Sequence, residues 1–304
     1  KGPDPRVSAS DVKAIFRAAT EALGNMPGIV VHSSPAWFMV DDGKKTLQPV
    51  GMKGRELSAM ISFVVANQFF VDEINNRLSD MGLAAAGFYS TPAGEAMLYL
   101  PEEDRDRTSV LIDIGYLCTE VMAVEGDALI FHKTIEIGGG NIAADLAIGL
   151  DIPLKEAEEK IKRQYVYGIA TAGETYDIPG VDGSKPRSFT REEVSEIITA
   201  RVDEIAEEIQ SALDDSGIKL GNWSNIYLTG GGLSLNRGGR DYLSAKLERP
   251  VRDTVKRTNK LSSPIYASAM GLMDLIIDTI ESRNAPAGGV GGGIKEFFRS
   301  LLGG

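Results

Sequence analysis

One cysteine, two histidines and two tryptophans in 304 residues leave several chemistries without their usual residues. Cys118 cannot pair within the chain, which excludes an internal disulfide scaffold and reads as a reducing, cytoplasmic setting. His32 and His132 lie in strand-like runs without ligand-spaced partners, so neither a Ser/His/Asp set nor a structural metal site is expected. No run of about 18 apolar residues could span a bilayer, and the opening KGPDPRVSAS lacks the apolar core of a signal peptide. Basic residues are in deficit as well. Lys and Arg number 32 against 43 Asp and Glu, a net charge of -11 that repels phosphate backbones and argues against nucleic acid as a partner. Repeats with a period of about 20–50 residues are also missing. What is present is ordinary for a globular chain, with 43% hydrophobic and 25% charged residues and length enough for two domains.

Patterning divides the chain into stretches. SASDVKAIFRAA opens as a helix with Ser10 as N-cap, Asp11 in the first turn, and Val12, Ile15, Phe16 and Ala19 on one face. GIVVHSSPAWFMVDD reads as a strand, and ELSAMISFVVA alternates Leu57, Ala59, Ile61, Phe63 and Val65 on one side, as a half-buried strand does. NQFFVDEINNRLSDMGL has helical spacing at Phe70, Ile74, Leu78 and Met81 and stops at Gly82. Together these predict a small βαβ-like unit over residues 1–88. A short helix, TPAGEAMLYL, and a charged loop, PEEDRDR, lead to three strand-like runs in SVLIDIGYLCTEVMAVEGDALIFHKTIEIGGG, then to the helix NIAADLAIGL. LKEAEEKIKRQY and TREEVSEIITARVDEIAEEIQSALDDSG are amphipathic helices flanking a polar stretch, the second opening with a capping box of Thr190 and Glu193. NIYLTGGGLSLNRGGRDYLSAKL is strand, glycine turn and helix, and SPIYASAMGLMDLIIDTI is a closing helix.

Three glycine-bearing turns fall at strand ends: DIGYLCTE at 113–120, IGGGN at 137–141 and LTGGGL at 228–233. Phosphates bind where backbone N–H groups converge and no Cβ intervenes, which glycine turns entering helices supply. Singly, each is an ordinary turn that needs positive φ. As a set, an Asp-x-Gly hairpin with Thr119 opposite and a strand–GGG–helix unit far downstream suit the phosphates and nucleoside of one ligand.

These motifs resemble the FtsA family of bacterial division proteins, within the actin-like ATPase superfamily. VLIDIGYLCTEVMAVEGDAL is similar to that superfamily's second phosphate hairpin, IITARVDEIAEEIQSALDDSG to its arginine-bearing helix, IYLTGGGLSLN to its adenosine motif and SSPIYASAMGLMDL to its closing helix. The resemblance implies an α/β, actin-like (ribonuclease H-like) fold with an FtsA-type small βαβ subdomain at 1–88 that serves polymer contact and recruitment. It further implies a remnant of the first lobe at 89–108 and a second lobe at 109–281. Within that lobe, 109–150 and 225–281 form the nucleotide-binding sheet unit and 151–224 the outer subdomain. The implied cofactors are ATP or ADP with Mg. Asp113, through Mg indirectly, and Gly115 would lie by metal and phosphates, with Thr119 on the same hairpin and Gly138 and Gly139 at the next turn. Gly230, Gly231 and Gly232 would lie beneath ribose and α-phosphate, and Glu159 and Lys162 would face adenine and ribose.

Two departures from the family pattern bear on activity. Tyr116 and Leu117 stand where the hairpin's second and third glycines belong, and their side chains crowd the phosphate approach. The family's first phosphate loop does not precede Lys1, so the expectation is a chain without the N-terminal part of the first lobe and with weak or no ATPase activity, no catalytic residue being assigned.

After a tether expected at 282–293, GGIKEFFRSLLGG places Ile294, Phe297, Phe298, Leu301 and Leu302 on one helical stripe, with Lys295 and Arg299 beside it, over residues 294–304. This is the pattern of an interfacial helix on an anionic membrane surface. The resemblance implies filament formation, binding of the FtsZ C-terminal peptide by the second lobe, recruitment of later division proteins, and a peripheral location on the inner face of the cell membrane at the division site. A sugar kinase-like ATP-dependent enzyme and a pilus-assembly scaffold relative share the fold but lack this ending.

Overall fold

The computed structural model describes residues 5–24, 26–168, 173–180, 185–221, 223–254 and 263–284. Contacts divide the chain into two compact units: residues 1–108 with 124–130 and 268–304, and residues 109–123 with 131–267.

In the first unit, α1 (Ala9–Ala22) is capped by Ser8 rather than Ser10. Asp11 decides this. It stands three residues after Ser8 and its carboxylate accepts the Ser8 N–H at 2.9 Å, while the Ser8 hydroxyl accepts the Asp11 N–H at 3.3 Å. Ser10 has Lys13 at that spacing and no such reciprocal partner. Strands β1 (Ile29–Val40) and β2 (Leu57–Ala66) pair antiparallel, from Ile29 opposite Ala66 to Val40 opposite Leu57. The order α1, β1, β2, α2 (Gln68–Asp80) therefore replaces the expected βαβ order. No crossover helix forms in 41–56, so β2 returns antiparallel. Val7, Val12, Phe16, Phe38 and Val40 form the core, with Leu57, Ala59 and Ile61 packed against it as the alternation predicts. Phe16 and Phe38 meet edge to face, ring centroids 6.1 Å apart.

Asp41 and Asp42 leave β1 with φ of 46° and 56°. The Asp41 carboxylate closes this segment by accepting the N–H groups of Glu56 at 2.7 Å and Arg55 at 2.8 Å. Those two bonds hold its carboxyl below the ordinary carboxylate range. Beyond α2, which stops at Gly82 with φ of 71°, lie α3 (Thr91–Tyr99) and α4 (Glu102–Arg105). The latter is a single helical turn where a loop was expected.

The second unit is built on a sheet in the order β5-β4-β3-β8-β9. Its first strands are β3 (Ser109–Ile114), β4 (Thr119–Glu125) and β5 (Ala128–Ile135), with the tip of the β4–β5 hairpin counted in the first unit. There follow α5 (Gly139–Gly149), the one-turn α6 (Leu154–Glu156), β6 (Thr175–Ile178), β7 (Arg187–Thr190) and α7 (Arg191–Asp215). Then come β8 (Ile226–Thr229), α8 (Gly239–Lys246) and β9 (Val251–Asp253). β3 and β8 are buried throughout and run parallel, Asp113 opposite Thr229, and β9 extends the sheet in parallel. α7 has the capping box read from sequence: Glu193 accepts the Thr190 N–H at 2.8 Å, and Thr190 accepts the Glu193 N–H at 3.3 Å.

Three sequence expectations are corrected in this unit. The predicted helix LKEAEEKIKRQY is one α turn followed by a π turn, Ala157–Ile161, and a 3-10 turn, Lys162–Gln164. Its winding changes where the Asn236 side-chain amide donates to the carbonyls of Lys162, at 2.7 Å, and Tyr165, at 3.0 Å. Part of the polar stretch before α7 is a β hairpin, β6 pairing antiparallel with β7. Helix α8 does not follow the GGG turn directly; residues 230–238 intervene.

The closing helix is α9 (Ala267–Asn284). It approaches α3 backbone to backbone: a Cβ on Gly94 would stand 2.4 Å from the Gly271 carbonyl oxygen. Among the described residues no helix is long and apolar enough to cross a membrane. The tether expected from residue 282 is corrected at its start, since 282–284 belong to α9; residues 285–293 and the amphipathic segment 294–304 lie outside the described residues.

Candidate functional site

The sequence-expected glycine turns meet at one end of the second unit's sheet. β3 carries Asp113, buried to 6% exposure, and reverses through Gly115–Cys118, where the Gly115 N–H donates to the Cys118 carbonyl at 2.9 Å. Thr119, at the start of β4, donates its hydroxyl to the Ile137 carbonyl at 2.8 Å and so ties this hairpin to the turn before α5. Gly138 caps α5, its N–H donating to the Asn141 side chain at 2.9 Å. The next two amides return to the hairpin: Gly139 to the Gly115 carbonyl at 2.8 Å and Gly140 to the Tyr116 carbonyl at 2.7 Å. From the parallel neighbour β8, Gly230 turns away with φ of 86°, and the Gly232 N–H reaches the Ile114 carbonyl at 2.6 Å.

Why these positions are glycine follows from the distances. A Cβ on Gly139 would stand 2.5 Å from the Gly232 Cα, one on Gly232 2.5 Å from the Gly115 carbonyl oxygen, and one on Gly138 2.7 Å from the Tyr116 carbonyl oxygen. Close approach of backbone to backbone is thus the first requirement. The amides of Gly115, Gly139, Gly140 and Gly232 are spent on the cluster's own carbonyls. The expectation that glycine amides converge toward a phosphate does not describe those four.

Glu159 and Lys162 stand on a different element. Glu159 is exposed on the π turn, whereas Lys162 is buried and its ammonium pairs with Glu158 at 3.1 Å. The link to the glycine loop runs through Asn236, whose amide holds the Lys162 and Tyr165 carbonyls from the segment after Gly230–Gly232. Sequence reasoning missed both Asn236 and Glu158. The first was legible only as an asparagine in a turn. The second needed the ion pair to be placed one residue earlier than the i, i+3 pairing suggests.

Tyr116 and Leu117 are 51% and 77% exposed. Tyr116 lies over the start of α5, where a Cβ on Gly140 would meet its ring at 2.8 Å, and Leu117 is turned to solvent. At Cys118, between them and Thr119, burial first, then the charges of Glu120 and Asp113, push the thiol's pKa up. Glu120 also accepts the Thr134 hydroxyl at 2.9 Å and pairs with His132.

A nucleotide needs a carboxylate near its metal, bare backbone under its sugar and phosphate, and an apolar surface for its base. Asp113 stands against Gly230, and Gly231 lies beside Ile265 and Leu235, both more than half exposed. That side of the site fits the nucleoside and α-phosphate end of such a ligand. At the hairpin, Tyr116 covers part of the approach to the α5 N-terminus.

Residues 110–271, which contain all three turns, match the family model described as Cell division protein FtsA. The chain belongs to the FtsA family. Among FtsA relatives, that of Pseudomonas aeruginosa is 27% identical over 89% of this chain and 66% of its own length. The FtsA of Bacillus subtilis is 24% identical over 88% and 61%. This FtsA-family chain therefore spans less than two thirds of the length of the relatives it matches first. Solved structures show the same actin-like fold. MreB 5 of Spiroplasma citri bound to AMPPNP superposes with a TM-score of 0.58 at 16% identity, over 72% of this chain and 67% of the other. A PilM-PilN type IV pilus biogenesis complex gives 0.53 at 20%, over 90% and 74%. A MamK double helical filament gives 0.51 at 17%, over 70% and 66%.

Proposed function

We propose that this chain is a cell division protein that binds an adenine nucleotide, assembles into filaments, and holds FtsZ filaments against the cytoplasmic face of the membrane at the division site. The carrying observation is the convergence of the Asp113 hairpin, the α5 turn and the Gly230–Gly232 loop within the span that matches the FtsA family. The nucleotide-bound MreB 5 and the filament of MamK share the fold and support the nucleotide and polymer parts of the reading.

In this reading Asp113 would hold Mg, Gly115, Thr119, Gly138 and Gly139 would border the phosphates, and Gly230–Gly232 would lie under ribose and α-phosphate. Glu159 and Lys162 belong to the segment bordering the base, and Asn236 fixes that segment to the glycine loop. When bound, Mg–ATP supplies a dense negative charge against which the neighbouring elements can order. The outer subdomain, 151–224, takes the FtsZ C-terminal peptide, and the subdomain at 1–88 serves polymer contact and recruits later division proteins.

Membrane attachment falls to Ile294, Phe297, Phe298, Leu301 and Leu302, with Lys295 and Arg299 toward anionic headgroups. Half-burying five such side chains returns roughly 4–7 kcal/mol, and ordering about nine residues costs a comparable amount. One copy then binds weakly, and a filament binds strongly because each further tail engages at high effective concentration.

The test is co-sedimentation with anionic vesicles of the full chain and of a version ending at Ala285. The full chain should pellet, increasingly so when crowded or polymerised, and the shortened one should not. Equal pelleting at every concentration would refute the tether.

A further inference from the structure

Helix α2 presents an apolar surface that stays exposed among the described residues. Val71 is the residue it buries, while Phe69 and Phe70 are 74% and 59% exposed, Ile74 is exposed beside them, and Met81 follows at the helix end. Large apolar side chains grouped in this way mark a contact surface. Their charged neighbours on the helix are Asp72, Glu73 and Asp80 against Arg77, a net of -2. The segment 294–304, outside the described residues, has the complementary composition. Its Ile294, Phe297, Phe298, Leu301 and Leu302 share one helical stripe, and Lys295 and Arg299 against Glu296 give it a net of +1.

We propose that in the unassembled chain the segment 294–304 docks on the exposed face of α2, so that this docking and lipid binding exclude each other. Charge complementarity and tethering favour this occupant. Helix α2 and the described part of α9, after which the tail continues, belong to the same compact unit, and a segment the length of residues 285–293 can extend about 30 Å. A glycine-rich tether of that length holds its end at about millimolar effective concentration, so even a weak contact fills when the chain is dilute. The tail has one apolar stripe and can cover one surface at a time. Docking would keep the isolated chain off the membrane until many copies, or the lipid itself, compete for the tail. The proposal uses the tail that the lipid-binding reading uses, but the contact with α2 is separable from it.

The test uses the full chain with photoreactive benzoylphenylalanine in place of Phe298, irradiated without lipid. Adducts should map to residues 67–83 within one copy, with a yield unchanged by tenfold dilution. Adducts elsewhere, or only between isotopically distinct copies, would overturn the proposal. In parallel, Phe70→Asp in the otherwise intact chain should raise pelleting of dilute protein with phosphatidylglycerol vesicles by about threefold or more. Unchanged or reduced pelleting of a folded variant would also overturn it. If the variant fails to fold, the adduct map alone decides. Adducts at 67–83 in a chain that never binds vesicles would sink the lipid reading and leave the docking standing. Vesicle binding with no such adducts would do the reverse.

Discussion

Gly230 leaves β8 with φ of 86°, and a Cβ placed on it would stand 2.0 Å from the Asp113 Oδ1 of the neighbouring strand. Conformation and space therefore both demand glycine at this position. Gly230→Ala should destabilise the chain by at least about 2 kcal/mol, because a positive-φ strain adds to a clash with a buried carboxylate. Gly231→Ala should cost less, since its nearest obstacle is the Ile265 side chain, itself half exposed. Urea midpoints of the two variants give the order; equal losses would contradict it.

Lys162 is buried and pairs with Glu158. Glu158→Ala should cost about 2 kcal/mol or more by leaving an ammonium buried without its carboxylate. Glu158→Ala combined with Lys162→Met should recover part of that loss. A double-mutant cycle on thermal unfolding measures the coupling, and simple additivity would show that the pair contributes nothing.

The Thr190–Glu193 capping box should be worth about 1 kcal/mol, the usual loss when a threonine N-cap becomes alanine. Thr190→Ala should lower the melting temperature, and Thr190→Ser should restore most of it. No difference between the alanine variant and the parent would contradict the assigned cap.

Asp41 gives a pH dependence. Its carboxyl is held below the ordinary range by the N–H groups of Glu56 and Arg55, so its stabilisation is present above the unfolded pKa and is lost as pH falls through the folded value. Asp41→Asn keeps a residue type that tolerates the positive φ while removing the charge. The variant should be less stable than the parent at pH 7, and the two should converge in acid as the Asp41 carboxyl of the folded chain takes up its proton. A gap that persists undiminished at pH 2.5 would contradict this.

Local signals made much of this legible in advance. Period-two alternation found β2, helical spacing found α2 and α7, and a reciprocal Thr–Glu pair marked where α7 begins. The misses lie where a distant partner decides the outcome. β9 is three residues long and exists through its pairing with β8, and β6 and β7 stabilise each other across a polar stretch. The π and 3-10 turns at 157–164 accompany an asparagine amide from residue 236, which no periodicity within LKEAEEKIKRQY encodes. In the candidate site, sequence marked the glycines but not their use. Four of their amides close the cluster on itself, a fact that only the convergence of three separated turns reveals.

The central claim is that Asp113 and the Gly230–Gly232 loop border a nucleotide. Calorimetric titration of the full chain with ATP and with ADP, with and without Mg, tests it most directly. The account predicts saturable, magnesium-dependent binding that weakens at least about tenfold, or 1.4 kcal/mol, in a folded Asp113→Asn variant. Absence of saturable binding by the folded chain at millimolar nucleotide, or an Asp113→Asn variant that binds unchanged, would contradict it.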